Sequence, residues 1–111
     1  MYLRPDEVAQ VLEHAGFTRD YVTDKAYGFY KGEYYVYVNR EAKMGRTSFI
    51  LHPDQGPKSL KYAYPAEALR SSPAYVRFPR DPQAVSPAFV GIPHGFTSRV
   101  MLNRYLNNMF Q

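Results

Sequence analysis

The stretch GEYYVYVNREAKMGRTSFILHP, residues 32–53, contains two strand-like runs joined by a short basic connector. In residues 34–39, both alternating faces carry aromatic or β-branched side chains, which is typical of a strand that is covered on both sides. The second run, residues 47–52, ends at a proline, which cannot donate a backbone hydrogen bond to a neighbouring strand. We therefore predict a hairpin at the centre of a sheet, with Gly45 at positive φ in its turn.

The sequence before this hairpin predicts one helix and one further strand. Residues 5–15 have the apolar spacing of an amphipathic helix, which begins near a proline and ends at Gly16. Residues 21–31 alternate with a period of two and predict a single strand, kinked near Gly28. A tight reversal then leads into the hairpin.

The sequence after the hairpin is rich in proline until the final helix. Residues 65–70 are compatible with one or two turns of helix, and residues 74–78 and 88–92 with short extended pieces that pair at a sheet edge. Thr97 is expected to cap the last helix. Its predicted buried stripe consists of Leu102, Tyr105, Leu106, Met109 and Phe110.

Together these elements predict a single α+β domain over residues 1–111. The expected architecture is an antiparallel β-meander of three or more strands, packed on one face by the N-terminal and C-terminal helices. A chain of 111 residues is long enough to bury such a core without metal or disulfide support.

The composition excludes several kinds of site. Cysteine is absent, so the chain has no disulfide, thiolate nucleophile or cysteine-based metal centre. The three histidines lack metal-binding spacing, and neither a dinucleotide fingerprint nor a phosphate-binding loop is present, so we predict no cofactor. No apolar stretch has membrane-spanning length and the first residues lack a signal pattern, so we expect a cytoplasmic protein without a membrane partner.

The basic charge is concentrated after the first strand of the hairpin. Residues 42–111 contain nine basic and three acidic residues, within a chain of net charge +4. No packing argument requires the connector, so Arg40, Lys43 and Arg46 are candidate contacts for nucleic acid or another polyanion. Other cations and rings that can extend this surface are Lys58, Lys61, Arg77, Arg80, Tyr35, Tyr37, Tyr62 and Tyr75. A solvated loop over a tyrosine-rich core is the alternative explanation.

Two further groups of residues are candidates for anion binding and for acid–base catalysis. Thr97, Ser98 and Arg99 follow a glycine turn at the start of the last helix, where free backbone amides can hold an anion, although a simple turn and cap explain the same pattern. His52 and His94 each end an extended run and are candidates for the acid and base of a hydrolase or nuclease. Hydrogen-bonded or surface turn histidines are the alternative.

Three segments resemble the YgaC-like family of small uncharacterised bacterial cytoplasmic proteins: MYLRPDEVAQVLEHAGF, YVYVNREAKMGRTSFILHP and GIPHGFTSRVMLNRYLNNMF. The resemblance implies one small α+β domain, and it supplies no catalytic or binding residues because the family has no established activity.

We predict a non-enzymatic binding module, with nucleic acid as the favoured ligand class. A protein–protein interaction adaptor and a histidine-dependent hydrolase or nuclease are the alternatives.

Overall fold

The computed structural model describes all 111 residues as three helices and a six-stranded antiparallel sheet. The helices are α1 (Pro5–His14), α2 (Gly56–Ser59) and α3 (Arg99–Met109), with a 3-10 turn at Pro53–Gln55 before α2. The strands are β1 (Thr18–Val22), β2 (Ala26–Lys31), β3 (Tyr34–Asn39), β4 (Phe49–Leu51), β5 (Arg70–Ser72) and β6 (Phe89–His94), and they lie in the order β1-β2-β3-β4-β6-β5. None of the helices has the length and apolar content needed to cross a membrane. The predicted α+β class and terminal helices are confirmed.

Strand β3 lies inside the sheet, as predicted, because it pairs with β2 on one side and β4 on the other. Its side chains alternate between the two faces, as the pleat of a strand requires. Val36 and Val38 belong to the cluster under the terminal helices, whereas Tyr37 belongs to a separate cluster on the opposite face. Both faces of the central strand are therefore buried.

The first face of the sheet is covered by α1 and α3. The predicted stripe of α3 is buried there in full: Leu102, Tyr105, Leu106, Met109 and Phe110. Phe17, directly after α1, packs edge-on against Phe110 with ring centroids 5.5 Å apart. At the start of α3, the Arg99 guanidinium donates to Gln10 Oε1 on α1 at 2.9 Å. The two helices thus form one layer.

The second face is covered by part of the proline-rich passage. Tyr37 is fully buried there, with its ring centroid 4.7 Å from that of Phe78 and 5.2 Å from that of Tyr75. The Arg77 backbone N–H donates to Tyr37 Oη at 2.9 Å. Burial raises the pKa of Tyr37 to about 12, although this hydrogen bond favours the phenolate. The passage therefore completes the core as a cover and does not extend the sheet at residues 74–78, where an extended piece was predicted.

The predicted single strand at residues 21–31 is wrong, because the chain reverses at residues 23–25. Thr23 Oγ1 accepts hydrogen bonds from the backbone N–H groups of Lys25 and Ala26, at 3.1 and 3.0 Å. Threonine hydroxyls stabilise tight turns in this way. The segment consequently forms the β1–β2 hairpin.

Three further predicted elements, the first of them in the hairpin itself, also differ from the structure. The second hairpin strand is limited to Phe49–Leu51, and the helix predicted at residues 65–70 is absent. The extended piece predicted at residues 88–92 is present as Phe89–His94, but it lies inside the sheet between β4 and β5. Its position depends on pairing with residues about forty positions earlier, which local periodicity does not encode.

The connector of the central hairpin packs against the N-terminal segment, contrary to expectation. Gly45 has φ of +80°, as predicted, and a Cβ atom built on it would lie only 2.1 Å from the carbonyl oxygen of Leu3. Ser48 Oγ donates to the Gly45 carbonyl at 2.8 Å, and Ala42 is buried. The connector is therefore part of the packed structure.

We expect Gly45→Ala to lower the free energy of unfolding by about 3 kcal/mol or more, because it combines an unfavourable φ with a backbone clash. Gly32→Ala is the matched control, since Gly32 also has positive φ but has open space around its Cβ position. The control should cost about 1 kcal/mol. Urea unfolding followed by circular dichroism measures both values, and equal losses would contradict the clash.

Candidate functional site

The three cations predicted at the hairpin connector do not act together in the structure. The Arg40 guanidinium lies 4.5 Å from the centroid of the Tyr27 ring, on the β1–β2 side of the sheet. The Arg46 guanidinium donates to the Ala66 carbonyl at 2.6 Å, within the passage before β5. Only Lys43 has neither a hydrogen-bond partner nor an ion-pair partner for its side chain. Two of the three cations are thus held by contacts within the chain, in different parts of the fold.

The residues predicted for an anion site at α3 are also engaged in structural contacts. Ser98, rather than Thr97, is the N-cap, and its hydroxyl accepts from the Met101 backbone N–H at 3.1 Å. The Thr97 hydroxyl lies 3.6 Å from Met101 Sδ. Arg99 lies 3.7 Å from the Glu7 carboxylate on α1, which neutralises its charge. The segment therefore caps α3 and ties it to α1.

His52 and His94 lie on opposite faces of the sheet. The His52 ring packs edge-on against Phe78 in the second cluster, and its Nδ1 accepts from the Asp54 backbone N–H at 3.0 Å. His94 instead packs among Phe49 and Tyr105 in the helix-facing core. The sheet between the two rings prevents them from acting as acid and base on one substrate atom.

His94 is instead part of a buried chain of hydrogen bonds. Ser59 Oγ lies 3.2 Å from His94 Nε2 and 2.6 Å from the Tyr105 hydroxyl, and His94 Nδ1 lies 3.2 Å from the Ile92 carbonyl. Burial lowers the pKa of His94, although the Ile92 carbonyl opposes this by favouring the charged ring, and burial raises the pKa of Tyr105. Both groups are thus neutral at pH 7.

The direction of this chain follows from the donors and acceptors that it contains. A carbonyl only accepts, so His94 Nδ1 carries the proton and donates to Ile92. In a neutral ring Nε2 then has a free lone pair, so the Ser59 hydroxyl donates to it and the Tyr105 hydroxyl donates to Ser59. These hydrogen bonds therefore connect α2, β6 and α3. Nothing in the local sequence around Ser59 indicated this role.

A cleft of about 500 Å³, here called the α3 cleft, lies between residues 61–64 and α3. Lys61 and Arg104 line it, and neither side chain has a carboxylate partner. Tyr64 is 86% exposed and Tyr62 is 46% exposed. The remaining lining residues, none of them acidic, are Ala63, Gly95, Phe96, Thr97, Met101, Tyr105 and Asn108. The cleft therefore combines unpaired positive charge with accessible rings.

Backbone hydrogen bonds fix one wall of the α3 cleft, and helix α3 itself forms the other. The backbone N–H groups of Tyr62 and Ala63 both donate to the Ser59 carbonyl at 2.9 Å, which folds the chain into a turn after α2. The N–H of Ala66 donates to the Pro93 carbonyl on β6 at 2.8 Å and so fixes the end of this segment. The other wall is one face of α3, where helical spacing brings together Met101, Arg104, Tyr105 and Asn108.

The sequence identified only part of this cleft. Lys61 and Tyr62 belonged to the predicted basic aromatic surface, and Thr97 to the predicted anion site, but Arg104 and Tyr64 belonged to neither. The available signal was the helical spacing of Met101 and Arg104, which places them on one face of the last helix. The contact between residues 61–64 and α3 is long-range and could not be read from spacing.

The comparisons with known proteins identify close relatives that have no assigned activity. A family model described as "Protein of unknown function (DUF2002)" matches residues 1–110. The chain is 54% identical over 110 residues to "Uncharacterized protein YgaC" of Escherichia coli O157:H7, and equally to the proteins of that name from Shigella flexneri and Escherichia coli O6:H1. Each match covers 99% of this chain and 96% of the relative.

The lowered pKa of His94 predicts a loss of stability in mild acid. As the pH falls below 6.5, the usual value for histidine, the unfolded chain takes up a proton at this residue and the folded chain resists it. The free energy of unfolding should then decrease by up to about 1.4 kcal/mol per pH unit from this group. Urea unfolding at pH 7.5, 6.5 and about 5 measures the slope.

His94→Gln is the control for this prediction, since it removes the titrating ring while retaining polar atoms. The variant should be less stable than the wild type at pH 7.5 but lose less stability between pH 6.5 and about 5. An identical pH slope in the two proteins would exclude His94 as the source.

Proposed function

The chain belongs to the DUF2002 family of proteins of unknown function, and we propose that it is a non-enzymatic module that binds single-stranded nucleic acid in the α3 cleft. The observation that supports this proposal is the pairing of two carboxylate-free cations with two exposed tyrosine rings in one cleft. The proposed ligand class is the one predicted from the sequence. The proposed binding site differs, because it lies beside α3 and not at the hairpin connector.

The cations of the α3 cleft are suited to a phosphate backbone. Six ion pairs engage other basic side chains of the protein, but none includes Lys61 or Arg104. A cation without a local counter-ion gains more from a phosphate than one that must first leave a carboxylate. Arg104 can also hold phosphate oxygens through two parallel N–H groups.

The exposed rings provide surfaces on which bases can stack. Tyr64 makes little contact within the protein, since 86% of its surface is accessible. Stacking of a base on an aromatic side chain contributes about 1–3 kcal/mol and tolerates any base. Such a combination of rings and cations is typical of proteins that bind single strands with little sequence preference.

The size of the cleft sets the expected strength of binding. A volume of about 500 Å³ and two cations provide a short binding surface, so we expect a dissociation constant in the micromolar range at low salt. With two phosphate contacts, log K should fall with log salt concentration with a slope of about −1.4. Affinity should therefore decrease about sevenfold between 50 and 200 mM salt.

Fluorescence anisotropy with a labelled oligothymidylate tests the proposal. Arg104→Ala and Lys61→Ala should each weaken binding, and each should reduce the salt slope by about 0.7. Arg80→Ala is the matched control, because Arg80 is exposed, lacks a carboxylate partner and lies outside the cleft. Lys43→Ala tests the hairpin connector in the same way. A larger effect of Lys43→Ala than of Arg104→Ala would move the site back to the connector.

Stacking on Tyr64 is tested separately from charge. Tyr64→Ala should weaken oligothymidylate binding about fivefold or more, whereas Tyr64→Phe keeps the ring and should bind like the wild type. The high exposure of Tyr64 makes both variants neutral for folding, which thermal unfolding checks. Wild-type protein that leaves the anisotropy of the oligonucleotide unchanged would reject the proposal.

A protein–protein interaction adaptor is the second candidate, and exposed apolar side chains near the same cleft favour it. Met101 lines the cleft, Leu60 and Val100 each directly precede a lining residue, and all three residues are more than half exposed. As bait in nuclease-treated lysate, the wild type should then retain a partner that Val100→Asp loses. Equal recovery with both baits would count against this surface.

A further inference from the structure

A second cavity, of about 320 Å³, lies on the other side of the segment that forms the wall of the α3 cleft. Residues 61–64 line the α3 cleft, whereas Ser59, Leu60 and Pro65 line this second cavity, together with His94. We infer that the second cavity binds a small uncharged molecule that has an apolar ring and one hydrogen-bond donor. This site is separate from the proposed nucleic-acid site.

The absence of charge in the cavity wall selects an uncharged ligand. The lining residues include no Asp, Glu, Lys or Arg, and His94 is neutral at pH 7. Moving an ionised group from water into such surroundings is costly because no opposite charge compensates for the lost hydration. Anionic ligands are therefore disfavoured here, in contrast to the α3 cleft.

The shape and chemistry of the lining select an apolar ring. Pro53, Pro57 and Pro65 contribute rigid apolar surfaces, and Leu60 and Ile92 add aliphatic ones. Proline rings and branched side chains offer flat contacts that a planar molecule can cover without ordering flexible groups. The volume lies at the lower end of the range of ligand cavities, which limits the occupant to a small molecule.

The hydrogen bonds among Ser59, His94 and Tyr105 favour a ligand that carries a hydrogen-bond donor. The Ser59 oxygen has two lone pairs, and the Tyr105 hydroxyl donates to one of them while the Ser59 proton goes to His94. Both ring nitrogens of His94 are already engaged, Nε2 by Ser59 and Nδ1 by the Ile92 carbonyl. The Tyr105 oxygen also keeps lone pairs, but Tyr105 does not line this cavity and Ser59 does. The second lone pair of Ser59 is therefore the hydroxyl acceptor for which a ligand in this cavity must supply a donor.

Phenol and toluene are suitable probes, because they have similar size and differ in the donor. We expect titration of the ¹⁵N-labelled protein to show amide shifts around Ser59, Leu60 and Ala68, with phenol binding about fivefold more tightly than toluene. Benzoate at the same concentrations should leave these amides unchanged. Equal affinities for phenol and toluene, or shifts confined to other parts of the protein, would overturn the inference.

Two variants test the named contacts. Ser59→Ala should abolish the preference for phenol over toluene, but it also removes the partner of two buried groups and is expected to reduce stability. Ala68→Trp is therefore the second variant, because Ala68 lies at the exposed rim and a large ring there should block both probes. Unchanged phenol binding in Ala68→Trp would also overturn the inference.

Arg104→Ala separates this site from the nucleic-acid proposal. The variant should lose affinity for oligothymidylate and bind phenol like the wild type, because Arg104 lines only the α3 cleft. Loss of phenol binding in Arg104→Ala would show that the probe occupies the α3 cleft instead. Each proposal can thus fail without the other.

Discussion

Burial of the central strand pair on both faces is the constraint on which the rest of the structure depends. Tyr37 and Ile50 are fully buried on one side of β3 and β4, and Val38 and Phe49 on the other. A sheet with two apolar faces needs two covers. The terminal helices supply the first, and the proline-rich passage around Phe78 supplies the second without regular structure of its own.

The elements that sequence predicted well are those defined by local periodicity. Helix α1, strand β3 and the buried stripe of α3 follow patterns contained within about ten consecutive residues. The β1–β2 turn was missed because it depends on one threonine hydroxyl, and the cover around Phe78 because it depends on contacts with Tyr37 forty positions earlier. The α3 cleft was found only in part, since Lys61 and Arg104 meet through tertiary packing.

The excess of basic residues is informative only when combined with their contacts. Several of the cations first considered for binding stabilise the fold, as Arg40 does on Tyr27 and Arg99 beside Glu7. At the α3 cleft, by contrast, two cations without a carboxylate partner lie beside exposed tyrosine rings. A net charge calculated from the sequence therefore overstates the number of cations that are free of contacts within the protein.

The packing of α1 against α3 also affects how the protein acquires its structure during synthesis. The helix-facing core combines Leu12 near the beginning of the chain with Leu106 and Phe110 near its end. This core cannot close until α3 has been made, so the part of the β1–β4 meander that α3 covers stays open to solvent until then. Non-local contacts of this kind slow folding and expose apolar surface meanwhile. The helix-facing core is consequently completed by the last residues of the chain to be made.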